Sequence, residues 1–417
     1  MHPFKPASLG LLLVCGLTTF VAAQQPLVEP YLRNGQLSEG RAALQKQLAA
    51  NPDDDQTRFG LGVLQFMQSV EHLSRSWYQY GIDDNLRGIA FLRMPVPDNP
   101  NPQQVSYQAV RGVLEKMIEY LDESDKTLAQ VTAKDVKLPL NLFQFHLDID
   151  QDGKLIPEED LTKIYGVYFG RDFAKGREAV VVFDYADVQW LRGYTHLIRA
   201  MCETILAYDE KPLWDIVSHR IFKNPEFQFK FLEEEHIKAQ KKEKDQNGFF
   251  WEDENYILDI VAGFHSLNFE LTDSARLKRA HEHLKQTIVQ SRKMWEAALA
   301  ETDDDREWIP NPNQTSVVSL TRITKEMVST WDDMLDEAEA LLDGKKLLPF
   351  WRGTDKTRGV NLYKVFHQPR DLDIILWVHG SAAVPFLENG DVTAPDTWNQ
   401  FQRVYNGQLF SFAAWFN

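Results

Sequence analysis

Over most of its length this chain keeps its apolar residues three and four apart. That spacing restricts it to a fold made by packing helices side by side. It holds from Ser38 to Pro52 and from Gln56 to Tyr78, with a break at Asn51-Pro52-Asp53 that predicts a helix pair. It resumes over Gln104 to Val131, and again after Asp184, where Asp184-Tyr-Ala-Asp187 has the form of an N-cap followed by a carboxylate three residues on. The helix that opens there should bury a stripe of Trp190, Leu191, Tyr194, Leu197, Ile198 and Met201. Further helices are expected over Pro212 to Phe222, Glu226 to Lys241, Asp253 to Leu267, Asp273 to Glu301 and Val317 to Leu342. The predicted fold is therefore mainly α and multi-helical. Beyond Pro349 the period is lost, so residues 349–417 read as a less regular segment packed on the core. Asp373 to Val378 there is either a short buried strand or an apolar turn of helix, and the terminal LFSFAAWFN should be docked because water would otherwise meet several aromatics.

Two interruptions divide the helical pattern. Pro95, Pro97, Pro100 and Pro102 make a connector that cannot be helical, and it separates the pair within 24–94 from a larger helical unit over 103–348. The second lies around Pro139, where Leu138 to Leu147 reads as extended or irregular. In the first pair Leu44, Leu48, Pro52, Leu61 and Gly62 fall at offsets similar to those of the tetratricopeptide repeat. The resemblance covers one repeat or slightly more, short of the three or so that a solenoid needs, and implies a local packing unit.

Charge and the N-terminus narrow the function. With a formal net charge of -16 at pH 7 the chain repels phosphate backbones, which excludes nucleic acid as an expected partner. The segment MHPFKPASLGLLLVCGLTTFVAAQQ reads as a bacterial secretory signal over residues 1–23, cleaved near Ala23, which places the mature protein in the periplasm or outside the cell. Val14 stands where a lipobox would need a small residue, so Cys15 is not read as an acylated anchor. No later run is apolar enough for a membrane span. After cleavage Cys202 has no disulfide partner and reads as a small buried hydrophobe.

One segment carries chemistry. Asp148-Ile-Asp150-Gln-Asp152-Gly153-Lys154-Leu155-Ile-Pro157-Glu-Glu159 spaces its carboxylates on alternate residues before a glycine and closes on a distant glutamate. A hard cation such as calcium seeks about six to eight oxygens at about 2.3 to 2.6 Å, and a tightly curled loop can supply them from one side. The segment resembles the twelve-residue EF-hand loop. That resemblance implies calcium ligation by Asp148, Asp150, Asp152, the Lys154 carbonyl and Glu159, a sharp reversal at Gly153, an apolar anchor at Leu155 and an exiting helix opened by Pro157 and running near 160–169. The side chain of Lys154 is expected to point its charge away. A regular entering helix is not expected, given Pro139. A weaker version runs from Glu243 to Glu254, with Glu243, Asp245, Asn247, Phe249 and Glu254 at the ligand offsets, and Phe250 at the anchor offset, where it could meet Leu155.

Other candidates fail on spacing. Glu301, Asp303, Asp304, Asp305 and Glu307 form an acidic turn with no glycine at the needed offset, and read as a solvated helix end. His281 and His283 are two apart on a helix and face different ways, so no zinc site is expected. His379-Gly380-Ser381 lacks the second glycine of a nucleophile elbow. The reading that results is an exported calcium-binding protein with a structural EF-hand-type site and no catalytic constellation. Two alternatives stay open: an interaction module presenting a groove on the first helix pair, and a periplasmic hydrolase with a cleft lined by Trp and acidic residues.

Overall fold

The computed structural model describes residues 25–82, 94, 96–163, 180–227, 254–317, 322–353 and 356–416. The signal segment, most of the helix expected over 226–241 and all of the second loop before residue 254 lie outside them. The described residues are mainly helical. Short helix α1 (Glu29–Arg33) leads to the pair α2 (Leu37–Ala50) and α3 (Asp55–Tyr80). Asp54 caps α3 by accepting from Thr57 N at 2.9 Å, and Gly81 ends it with φ of 65°. After the proline connector, Ser106 caps α4 (Tyr107–Leu128).

Strand β1 (Leu138–Asn141) pairs antiparallel with β2 (Val180–Phe183), Leu138 opposite Phe183, and β2 feeds α5 (Tyr185–Leu206). The predicted cap of α5 is a reciprocal capping box. Asp184 Oδ1 accepts from Ala186 N at 2.7 Å, and Asp187 Oδ2 accepts from Asp184 N at 3.0 Å. Then come β3 (Tyr208–Asp209), α6 (Lys211–Ile221), α7 (Glu254–His265), β4 (Asn268–Leu271) and α8 (Ser274–Ala300). Helix α9 (Lys325–Leu342) starts later than the apolar spacing from Val317 suggests, because Thr324 supplies its cap to Met327 N.

Past residue 348 the elements are short: β5 (Leu348–Pro349), β6 (Arg358–Val360), α10 (Leu362–His367), β7 (Leu372–Asp373), α11 (Ile374–His379), β8 (Leu387–Asn389), α12 (Pro395–Val404) and α13 (Leu409–Phe416). Strands β5, β6 and β8 form one small sheet, and β3, β4 and β7 another. The run Asp373 to Val378 is a helical turn after a two-residue strand, and it is not buried: Val378 is 74% exposed. Its first helical residue is tied to the chain just past α7, since Ile374 N donates to Leu267 O at 2.9 Å.

Helices α3, α4, α5 and α8 pack in sequence, α5 lying between α4 and α8. The largest buried cluster joins the N-terminal helices to the C-terminal ones, including Leu44 of α2, Phe59 of α3, Leu138 of β1, Leu191 of α5, Trp295 of α8, Trp331 of α9 and Phe412 of α13, while smaller clusters form around Trp77 and Trp214, around Tyr208 and Phe269, and around Val360 and Phe386. The C-terminal aromatics dock as expected, with Trp190 Nε1 donating to Trp415 O at 2.7 Å. The face of the α2–α3 pair is filled by the chain itself. Gly62 lies against Leu128 of α4, and Ser124 Oγ donates to Gly62 O at 2.8 Å.

The stripe expected on α5 needs correction. Met201 is 48% exposed, while the buried face carries Asp187, Thr195, His196, Arg199 and Glu203. A helix flanked on both sides buries more than an apolar stripe, so its charges must find partners. Arg199 meets Asp122 at 3.0 Å and Asp125 at 3.2 Å on α4, and Arg192 meets Asp125 at 2.9 Å. Glu203 meets Arg276 at 3.0 Å and Arg279 at 2.9 Å on α8. Burial alone would raise the Asp125 carboxyl, but His196 and Arg192 hold it below the usual carboxylate range.

Two substitutions test this packing by urea unfolding. Arg199→Ala leaves Asp125 to Arg192 and His196 and removes the charged hydrogen bonds between α4 and α5, which should cost about 1.5–3 kcal/mol; an unchanged midpoint would mean the pairs carry no weight. Gly62→Ala places a Cβ 2.4 Å from Leu128 Cδ2, and the overpacking should cost about 1–3 kcal/mol. A neutral result would show that α4 yields without strain.

Candidate metal centre

The loop from Asp148 to Glu159 is closed at its root by extended backbone. His146 and Asp160 form an antiparallel bridge, Leu147 N donates to Glu159 O at 3.0 Å and Leu161 N to Phe145 O at 3.0 Å. Phe145, Leu147 and Ile149 are buried in the main core, so the alternate residues are turned outward by strand geometry. Gln151 and Gly153 then take left-handed φ values of 63° and 71°. Nothing lies within 4 Å of a Cβ built on Gly153, so the backbone angle and not space calls for glycine there.

The carboxylates curl the loop around themselves. Asp148 Oδ1 accepts from Gly153 N at 3.3 Å, Asp150 Oδ1 from Asp152 N at 3.0 Å and Asp152 Oδ1 from Lys154 N at 2.7 Å. As a result one carboxylate oxygen from each of Asp148, Asp150 and Asp152 lies within 4.8 Å of the others. Glu159 is outside that group. It is buried, its Oε1 accepts from Ile149 N at 2.7 Å and Asp150 N at 3.2 Å, and its Oε2 has no hydrogen-bond partner. Burial pushes its carboxyl up.

Three details differ from the sequence expectation. Lys154 does not point its charge away: Nζ folds back to 2.8 Å from Asp152 Oδ2, and the contact raises the amine and lowers the acid. Leu155 is 47% exposed and anchors nothing among the described residues. Pro157 opens a 3-10 turn over Pro157–Glu159 and not the exiting helix itself, which is helical over 161–163 with the rest of the expected 160–169 outside the described residues; the entering segment, as expected, is no regular helix but β1 and a 3-10 turn over Leu142–Gln144. The helical flanks of an EF-hand are thus replaced on the entering side by a strand and a tight turn. The second loop, with Glu243, Asp245, Asn247 and Phe249, lies outside the described residues, as does Phe250; the backbone of Glu254 opens α7.

The loop is fastened to the N-terminal helices. His146 N donates to Leu32 O at 3.0 Å, and Arg75 Nε of α3 donates to Asp148 O at 2.7 Å. A Cβ on Gly35 would stand 3.2 Å from Asp148 N. Arg75 also meets Glu71 at 3.0 Å, and burial pushes the Glu71 carboxyl up to about 7 despite that neighbour.

The remaining candidates resolve into structural roles, with one exception. His281 bonds Leu342 O while His283 faces His196, so the two do point apart. Gly380, with φ of 95°, ends α11, and Ser381 Oγ donates to Leu376 O at 3.5 Å. The Cys202 thiol is buried and pushed up to about 12. A cleft of about 620 Å³ between α8 and α9 is lined by Trp295, Trp331, Glu296 and Asp332, and no member of either carboxylate trio lines it. The exception is the acidic turn over 301–307. Glu301 and Glu307 converge with Asp184, one oxygen each within 4.8 Å of the others. The turn was visible in the sequence, but nothing in the spacing joins it to the cap of α5.

No family model, no curated protein and no solved structure matches the chain.

Lys154 occupies an oxygen of Asp152 that a cation in this loop would have to share. Lys154→Met should therefore raise calcium affinity about two- to five-fold, read by calorimetry at low salt. Equal or weaker binding would mean that Asp152 is not a ligand.

Proposed function

We propose that the protein is an exported calcium-binding protein in which the 148–159 loop holds one ion for a structural purpose. The observation that carries this reading is the approach of three aspartate carboxylates within 4.8 Å on a loop whose backbone is pinned to α1 and α3. The donor chemistry suits a hard cation: Asp148, Asp150 and Asp152 offer converging carboxylate oxygens and Lys154 its carbonyl, while Glu159, outside that trio, would have to turn its buried, unpartnered Oε2 toward the ion to complete the shell. Bound calcium would supply positive charge where like charges otherwise repel. The residues of the chain do the rest: the bridge at His146 and Asp160 fixes the loop ends, and Arg75 holds the first carbonyl.

The consequence would be mechanical. The same short segment touches Leu32, Gly35 and Arg75, so ordering it ties the N-terminal helices to the β1–β2 pair. Outside the cytoplasm calcium is abundant, so even a site of about 10⁻⁴ to 10⁻³ M affinity would stay filled and would act as a staple, not as a fast sensor. No described helix is long and apolar enough to cross a membrane.

Chelation tests the reading. At calcium near 100 times Kd the ion adds about 2.7 kcal/mol, so removing it should lower the Tm by a few degrees. Asp150→Asn should abolish that response while keeping the helical circular dichroism. A melting curve that is the same with calcium and with chelator would overturn the proposal.

A further inference from the structure

The acidic turn and the cap of α5 meet in a second place where charge is concentrated, remote in sequence from the loop. Asp184 is the N-cap of α5 and Glu301 is the residue on which α8 ends. Glu307 is carried inward by a turn in which Arg306 has φ of 75°, a left-handed value unusual for its type. Arg306 O accepts from Val182 N at 3.2 Å, Glu307 Oε1 from Asp305 N at 2.8 Å and Glu307 O from Val317 N at 3.0 Å, so the turn is tied to β2 and to the following segment. Asp184 and Glu307 are buried, Glu307 completely, and Glu301 is half-buried.

We propose that Asp184, Glu301 and Glu307 form a second cation site, built for a hard divalent ion, with Asp187 contributing its charge beside Asp184. The convergence of three carboxylates would not by itself make this case. The independent observation is Asp187, which is 2% exposed and presents Oδ1 to the interior with no hydrogen-bond partner. Glu307 Oε2 is likewise buried and without a partner. Native proteins rarely leave such oxygens unsatisfied, and a missing ion is among the few explanations.

The charge balance points the same way. Three carboxyls converge with Asp187 beside Asp184, and Lys137, which acts on Asp184 and Glu307 through space, has its Nζ 2.9 Å from Asp303 and 3.9 Å from Asp305. Phe183, Trp190 and Trp308 pack together alongside, which lowers the local dielectric and strengthens the repulsion. Protonation is the competing way to neutralise the group. Burial and the neighbouring Asp184 push Glu301 up to about 8, and burial pushes Glu307 up to about 7. A protonated Glu301 can donate to Asp184, but that leaves the oxygens of Asp187 and Glu307 orphaned. A divalent ion among Asp184, Glu301 and Glu307 would neutralise the trio, offer the buried Glu307 Oε2 a partner and offset the charge of Asp187, with oxygen ligands alone, the chemistry that suits calcium, magnesium or manganese and not zinc.

The test uses the full chain carrying Asp150→Asn and Asp152→Asn, which silences the 148–159 loop, so that a failure there and a failure here are separable. After chelation, calorimetry with calcium, magnesium and manganese in turn should find about one equivalent taken up by that protein. Adding Glu307→Gln, which keeps the shape and removes a charge, should weaken that uptake at least about tenfold while the helical circular dichroism stays constant. Should that variant misfold, Glu301→Gln at the half-buried position gives the same reading. If the loop-silenced chain binds none of the three ions, the group is neutralised by protons and the proposal falls. It falls equally if the glutamine variants bind as their parent does.

Discussion

The guanidinium of Arg199 sits almost wholly out of water between Asp122, Asp125 and His196, and the order of the central helices depends on it. A charge buried there is tolerable only while its partners on α4 keep their places, so the register of α4 against α5 is fixed by an ionic demand as well as by shape. The same logic acts one turn on, where Glu203 binds two arginines of α8. Together the two clusters set α5 as the reference element. Its N-cap, Asp184, is then delivered to a defined position against the end of α8, which brings Glu301 within reach.

The two carboxylate groups solve like-charge repulsion differently. Around Asp148 the carboxylates are open to solvent on one side, and amide N–H groups and the Lys154 ammonium share the charge. Around Asp184 water is largely excluded and the nearby amine is already committed to Asp303. Screening is therefore available at the first group and scarce at the second. Both groups nevertheless stand at junctions: the first between the N-terminal helices and β1, the second between β2, α5 and α8.

Much of the architecture could be read from the chain because its boundaries are written in local chemistry. Asp54, Ser106, Asp184 and Asp273 each cap a helix with their own side chains, and Gly81 ends one with a left-handed turn. The aspartates of the loop were legible for the same reason, since their hydrogen bonds are to backbone two to five residues on. What escaped notice was decided by distant residues. The polar face of α5 is paired by α4 and α8, so an apolar stripe is a poor guide to its orientation. Val317 continues an apolar pattern, yet Thr324 decides where α9 begins. Asp184 was recognised as a cap and Glu301 as a helix end, and only the packing of α5 on α8 makes them neighbours. Asp373 to Val378 looked suitable for burial, but among the described residues Ile374, Ile375, Leu376 and Val378 stay exposed.

The largest apolar cluster draws Leu32 and Leu37 together with Phe412 and Phe416. Contacts of such wide sequence separation repay the entropy of loop closure only late, which predisposes a chain to fold slowly and through partly assembled states. In those states Trp295 and Trp331 would lack the aromatic ring of Phe412 that covers them in the finished protein. The early helices can form from their own caps, but the tryptophan-rich seam stays sticky until the last partners arrive, and during that interval the chain is most exposed to self-association.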